Sequence, residues 1–150
     1  MISRAAKEDL PDILDLQFRA FGEVAKRLGR STIPPLEQTM EHLQEEAETT
    51  LFLKYEEQGH ILGSVRGRLD ERGICHVGKL IVDPECRNRG IGQKLMLALE
   101  EYFGTTAASY LLFTSADTPE TLHLYRKLGY TEQGSHSMDG MVTVFLEKQG

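Results

Sequence analysis

The chain has few cysteines, no excess of positive charge and no long apolar run, and each shortage removes a class of function. Its two cysteines, Cys75 and Cys86, stand outside any C-x-x-C spacing. No metal centre or dithiol is therefore expected, and both read as reduced thiols of a cytoplasmic protein. Seventeen Lys and Arg against 23 Asp and Glu leave a formal net charge of −6 and a pI of about 5.4. Nucleic-acid binders carry a broad positive face, so no nucleic-acid partner is expected. No apolar stretch approaches the roughly 18 residues of a membrane span. The start M-I-S-R-A-A-K-E-D lacks the apolar core of a signal peptide, so no membrane association is expected. Repeats and low-complexity tracts are also missing. With 150 residues, 40% of them hydrophobic, one domain over residues 1–150 with a real core is expected.

What is present concentrates in Lys79–Leu97, K-L-I-V-D-P-E-C-R-N-R-G-I-G-Q-K-L-M-L. Leu80-Ile81-Val82 reads as the end of a buried strand, and Asp83-Pro84 stops it because proline has no N–H for a ladder. After Gly90-Ile91-Gly92, apolar residues at Ile91, Leu95, Leu99 and Tyr102 keep helical spacing. A strand, a glycine-rich turn and a helix start make an anion cradle. The first helical N–H groups lack partners, the helix dipole is positive there, and glycine lets a phosphate approach the backbone. Arg87, Arg89 and Lys94 add local positive charge that suits a small polyanion. The Walker A spacing does not occur, and Gln93 stands where a phosphate-loop lysine would, against an ATP site. Leu95 stands where a dinucleotide fingerprint needs its third glycine.

Around this stretch the expected order is β-α-α-β-β-β-α-β-α-β-β. A strand at Ile2–Ala6 leads into a helix from Lys7, with an apolar face of Leu10, Ile13, Leu14, Phe18 and Phe21. Gly22 to Pro35 reads as irregular. A second helix follows with Leu36, Met40, Leu43 and Ala47 inside and Glu37, Glu41, Glu45, Glu46 and Glu48 outside, either as a solvated face or as an attractor for a cationic acceptor. Leu51–Tyr55, Ile61–Leu69 and Ile74–Val82 form a meander, with Gly78 marking a bulge or a close backbone approach. Tyr110–Thr114 is a further strand. Thr118 can cap the next helix, with Pro119 in its first turn and Gly129 at its end. Tyr130–Gly134 and Met141–Leu146 are the last strands, joined by a polar loop containing Gly134 and Gly140.

Arg87-Asn88-Arg89-Gly90-Ile91-Gly92, preceded by V-D-P, resembles the acetyl-CoA pyrophosphate loop of the GCN5-related N-acetyltransferase (GNAT) family. Leu124-Tyr125-Arg126-Lys127-Leu128-Gly129-Tyr130 resembles its L-Y-x-K-x-G-[FY] segment. The resemblance covers essentially the whole chain. It implies the α+β acyl-CoA N-acyltransferase fold, a single-domain, mostly antiparallel central sheet flanked by helices. It implies acetyl-CoA as co-substrate without a metal, a small-molecule or peptide amine as acceptor, and it allows a homodimer. It implies that Leu80, Ile81 and Val82 hold the pantetheine arm and that Arg87, Asn88, Arg89, Gly90, Ile91 and Gly92 hold the pyrophosphate. Thr118 either contacts the cofactor or only caps its helix. Tyr125 serves the thiol of coenzyme A or is a core aromatic.

The implied chemistry is direct attack of an amine on the thioester. It needs a deprotonated amine, a donor for the oxyanion where the strand around Gly78–Val82 splays from its neighbour, and a donor for the leaving thiolate. Some relatives carry a basic glutamate twelve residues ahead of the tyrosine, where this chain has Phe113. The base is thus open between His76, a water chain and an amine that arrives neutral, with His123 and His136 weaker candidates. A non-catalytic acyl-CoA-binding or regulatory module of the same fold is the alternative to an enzyme.

Overall fold

The computed structural model describes residues 1–138 and 140–150. In order, the chain forms β1 (Ile2–Arg4), α1 (Leu10–Arg27), α2 (Pro34–Glu37), α3 (Met40–Thr49), β2 (Leu51–Glu57), β3 (His60–Leu69) and β4 (Ile74–Val82). It continues with α4 (Ile91–Phe103), β5 (Ser109–Ser115), α5 (Pro119–Lys127), β6 (Thr131–Met138) and β7 (Met141–Gln149). The seven strands make one sheet in the order β1-β2-β3-β4-β5-β7-β6. Only β4 and β5 run parallel; every other neighbouring pair is antiparallel. This is the mixed α+β architecture expected, with one core on each face of the sheet. Leu95, Met96 and Leu99 of α4 and Leu122 and Tyr125 of α5 bury one face. Leu10, Ile13 and Leu16 of α1 and Leu43 of α3 bury the other, against Phe52, Ile61 and Ile81. Among the described residues, no helix is long and apolar enough to cross a membrane.

Two strand glycines set how closely α4 lies on the sheet. A Cβ on Gly63 would stand 2.9 Å from both Ile91 Cγ2 and Leu95 Cδ1, and one on Gly67 would stand 2.8 Å from Leu99 Cδ1 and 2.9 Å from Phe103 Cε2. We expect Gly67→Val to lose about 1–3 kcal/mol of stability through overpacking, read as a lower urea midpoint. An unchanged midpoint would show that α4 yields freely.

Several boundaries differ from expectation. Helix α1 does not stop at Gly22 but continues to Arg27. A mid-helix glycine costs about 1 kcal/mol, offset here by burial of Ala25 and by ion pairs of Glu23 and Arg27 described below. Its buried stripe is Leu10, Ile13, Leu16, Gln17 and Ala20, so Phe18 is exposed. The second helix is broken at Gln38–Thr39, because the Thr39 hydroxyl accepts the His42 N–H at 3.1 Å and starts α3 afresh. On α4, Tyr102 is exposed and Met96 takes the core position. Strand β1 ends at Arg4, and β6 starts after Tyr130. β6 then passes through Gly134 as far as Met138 instead of ending in a loop. A register shift between Glu132 and Gly134 absorbs the glycine, and pairing with the longer β7 resumes. Asp139, within the expected Gly134–Gly140 loop, lies outside the described residues.

Candidate active site

Strand β4 is paired along one edge and open along the other. On the β3 side, Ser64 faces Ile81 and Arg66 faces Gly78, so Lys79 and Leu80 together oppose Val65 in a bulge. Lys79 is the bulged residue, with φ of +45°. Gly78 therefore marks a bulge and not a close approach, since a Cβ there would meet nothing within 4 Å. On the β5 side, pairing stops after Ile74–Ser109, Cys75–Tyr110 and His76–Leu111. Beyond His76 the two strands part into a wedge whose β4 edge offers backbone groups without ladder partners in β5.

The wedge opens toward the mouth of α4. Asp83 N–H donates to the Leu62 carbonyl at 2.8 Å, and the Asp83 carboxylate accepts from Glu85 N–H at 2.9 Å, which turns the chain out of the sheet. Asn88 (φ +65°) and Gly90 (φ +77°) then take left-handed conformations that asparagine and glycine tolerate best. The first helical bond closes from Lys94 N–H to the Gly90 carbonyl at 3.0 Å. The N–H groups of Ile91, Gly92 and Gln93 ahead of it stay outside the helix ladder, and Gly90 at the cap has no side chain to cover them. Gly92 faces the wedge: a Cβ there would stand 3.3 Å from Leu124 Cδ2, 3.6 Å from Leu80 Cδ2 and 3.8 Å from Val82 Cγ2. Leu80 and Val82 thus turn toward α5, while Ile81 turns to the α1 side.

The basic side chains beside the loop are countered by carboxylates. Arg87 pairs with Glu23 at 2.7 Å and Arg89 with Glu57 at 2.7 Å, while Lys94 Nζ lies 5.9 Å from the Tyr55 ring centre. The Glu23 contact belongs to a ladder of alternating charge along α1. Arg19 pairs with Asp83 at 2.6 Å, and Arg27 with Glu120 at the start of α5 at 2.5 Å. Helix α1 is thereby tied to both the loop and α5.

Tyr125 lies on the inner face of α5 and is 6% exposed, with its ring 5.9 Å from that of Tyr130. Burial holds its phenol well above the ordinary tyrosine range, so it stays protonated. Tyr130 is fixed by a 2.9 Å bond from its hydroxyl to Glu100, which also takes Lys148 at 2.8 Å. Thr118 does not cap α5 with its side chain. Its φ of −120° and ψ of 75° turn the hydroxyl back, where it donates to the Ser115 carbonyl at 2.9 Å.

His76 stands on the face of β4 opposite Cys75 and Val77, with Nε2 2.8 Å from Asp70 Oδ2. That bond, with the N–H groups of Ile74 and Arg72, holds the Asp70 carboxyl down at about 2. A depressed carboxylate stabilises the fold above its unfolded value of about 3.9, and the stabilisation is lost as pH falls through the folded value. The melting-temperature gap between wild type and Asp70→Asn is therefore expected to close as pH falls from about 4 to 2. A gap that stays constant would remove the linkage. Phe113 is 68% exposed beside Phe145, and His123 and His136 are exposed on α5 and β6. Cys75 is buried, which pushes its thiol up to about 12. Among the described residues, no three His, Cys, Asp or Glu side chains group as metal ligands.

One cluster was not foreseen. Arg66, 2% exposed, crosses under α1 and α3. It donates to Gln17, to Gln38 at 3.2 Å and to Glu46 at 2.9 Å, and its guanidinium lies 4.5 Å from the Phe52 ring centre. Lys79 Nζ is 3.9 Å from the same Glu46. Its signals were Gln17 inside an apolar helical stripe and a charged residue in the strand run G-S-V-R-G. Glu46 is therefore not part of a solvated acidic face.

The Acetyltransferase (GNAT) family profile matches residues 10–130. The S-(2-succino)cysteine N-acetyltransferase of Bacillus subtilis is 27% identical, over 97% of this chain and 93% of that protein. The crystal structure of smu.2055 from Streptococcus mutans superposes with a TM-score of 0.85 at 17% identity, covering 99% of this chain and 98% of that one. The PaiA N-acetyltransferase of Thermoplasma acidophilum, solved in complex with coenzyme A, superposes with a TM-score of 0.82 at 15% identity, covering 100% and 98%.

Proposed function

The chain belongs to the acetyltransferase (GNAT) family and is an acyltransferase, and from that premise we propose that it moves an acetyl group from acetyl-CoA to a small-molecule primary amine by direct attack. The observation that carries this reading is the uncapped mouth of α4 at the open end of the β4–β5 wedge. The diphosphate lies against the N–H groups of Ile91, Gly92 and Gln93, in a loop formed by Arg87, Asn88, Arg89 and Gly90. The pantetheine arm follows the unpaired backbone of Leu80, Ile81 and Val82, with Thr118 near the cofactor from the α5 side. The relatives support the two substrates: one structure neighbour was solved with coenzyme A, and the Bacillus protein is named for acetylating the amine of a substituted cysteine.

The amine nitrogen attacks the thioester carbon. A backbone N–H on the open, β5-facing edge of β4 beyond His76 takes the oxyanion. The C–S bond then breaks, the amide forms, and the thiolate leaves toward the Tyr125 hydroxyl. A phenol near 10 does not readily protonate a thiolate whose acid lies near 8.5, and burial raises Tyr125 further. Tyr125 therefore donates a hydrogen bond, and the proton that ends on sulfur comes from the amine. With Phe113 at the glutamate position, that proton leaves without a carboxylate there.

The test is thiol release from acetyl-CoA over a panel of amines, with the acetylated amine identified by mass. Acceptor-dependent release supports the reading. Coenzyme A binding with no release across the panel would overturn it in favour of a binding module.

A further inference from the structure

We infer that Lys79, backed by Arg66, holds a carboxylate of the acceptor, so that the acceptor is an anionic amino compound and not a polyamine or a basic peptide. The inference rests on the acetyl-transfer reading above and adds the charge of its acceptor.

The direction of approach follows from packing. One face of the wedge is filled by α4, α5 and Tyr125. On the opposite face, α1 and α3 cover the sheet up to β4, and Phe113 of β5 stands 68% exposed. An amine reaching the thioester from that face passes the bulge of β4 and the side chain of Lys79.

The charge there is unbalanced. Arg66 and Lys79 are two cations, and among the described residues Glu46 is the single carboxylate that pairs with them. One atom, Glu46 Oε1, takes Arg66 at 2.9 Å and Gln38 at 2.9 Å, and Lys79 is the distant third at 3.9 Å. Gln17 from α1 and Gln38 from the α2–α3 link are neutral, as is Phe52 from β2. The site therefore carries one positive charge in excess, on a side chain 29% exposed. Arg66 Nε is buried without an acceptor among the described residues, so the donors in the cluster exceed what those residues satisfy. A carboxylate on Lys79 neutralises the excess, whereas an acceptor cation would meet a positive charge beside the reacting carbon.

Two further features agree. Lys79 keeps a left-handed conformation that a non-glycine residue adopts at a cost. Phe113, next to Phe145, presents an apolar surface where a glutamate would repel an anionic acceptor. Glu37 of α2 and Glu41, Glu45 and Glu48 of α3 are exposed, so Glu46 is the acidic residue of those two helices that reaches the cluster.

The experiment compares matched acceptors with and without the carboxylate, S-methylcysteine and 2-(methylthio)ethylamine, in wild type, Lys79→Met and Lys79→Arg. Wild type is expected to favour the carboxylated member. In Lys79→Met the ratio of the two kcat/KM values falls about 10- to 100-fold, the range of one charged hydrogen bond, through the acceptor KM. Lys79→Arg restores the ratio, and succinate, competitive with acceptor in wild type, stops inhibiting Lys79→Met. Should Lys79→Met fold poorly by thermal melting, Lys79→Gln takes its place with the same pair. Equal losses on both acceptors, or a wild type that prefers the amine without a carboxylate, would overturn the carboxylate site while leaving acetyl transfer intact. Absence of thiol release with every amine would overturn both.

Discussion

Gly92→Asp is expected to weaken acetyl-CoA binding at least about 100-fold, or ~2.7 kcal/mol, in a protein that still folds. The position is the second residue of α4, where the N–H groups lie bare and the side-chain direction points at Leu124, Leu80 and Val82. An aspartate there places its own carboxylate in the anion cradle, repels the diphosphate, and narrows the entry to the wedge. The same carboxylate is compatible with the helix, because negative charge in a first turn is stabilising. Isothermal titration with acetyl-CoA, alongside a melting curve, separates the two effects. Unchanged affinity would show that the diphosphate does not use this mouth, and the account of the loop would have to be abandoned.

Tyr125→Phe is expected to lower kcat about 100- to 1,000-fold, the usual range for removing one preorganised hydrogen-bond donor to charge that develops in the transition state, with acetyl-CoA affinity and stability nearly unchanged. Burial raises this phenol's pKa and keeps it protonated, and the ring packs on Tyr130 with or without the oxygen. On the reading proposed above its oxygen serves the leaving sulfur, which gains negative charge only as the C–S bond breaks. Such an interaction appears in kcat and not in ground-state binding. Single-turnover thiol release distinguishes chemistry from product departure. A variant within threefold of wild type would reduce Tyr125 to a packing aromatic.

The sequence made the centre of this molecule readable because its signals are local. Pro84 after a β-branched run, two glycines and an apolar period at Ile91, Leu95 and Leu99 each act on their own few residues. The meander was readable for the same reason, from turns at Gly59 and Gly73. What escaped depends on partners distant in the chain. Helix α1 survives Gly22 because Glu23 and Arg27 find Arg87 and Glu120. β6 survives Gly134 because β7 continues beside it. Thr118 fits every local rule for a cap and still turns its hydroxyl to Ser115. The Arg66 cluster joins residues from α1, the α2–α3 link, α3 and β3, so no window along the chain contains it.

Gly63 and Gly67 give the acyl-transfer machinery a one-sided tolerance. At these two positions α4 meets backbone alone and already sits as low on β3 as atoms allow. Any replacement at either position can only lift the helix, never lower it: at Gly67 it lifts the end that carries Leu99 and Phe103, and at Gly63 the end that begins at Ile91, where the amides outside the helix ladder start. The two glycines thus act as a shim of zero thickness: variation at Gly63 displaces the mouth of the helix, while variation at Gly67 is felt at its far end as lost stability.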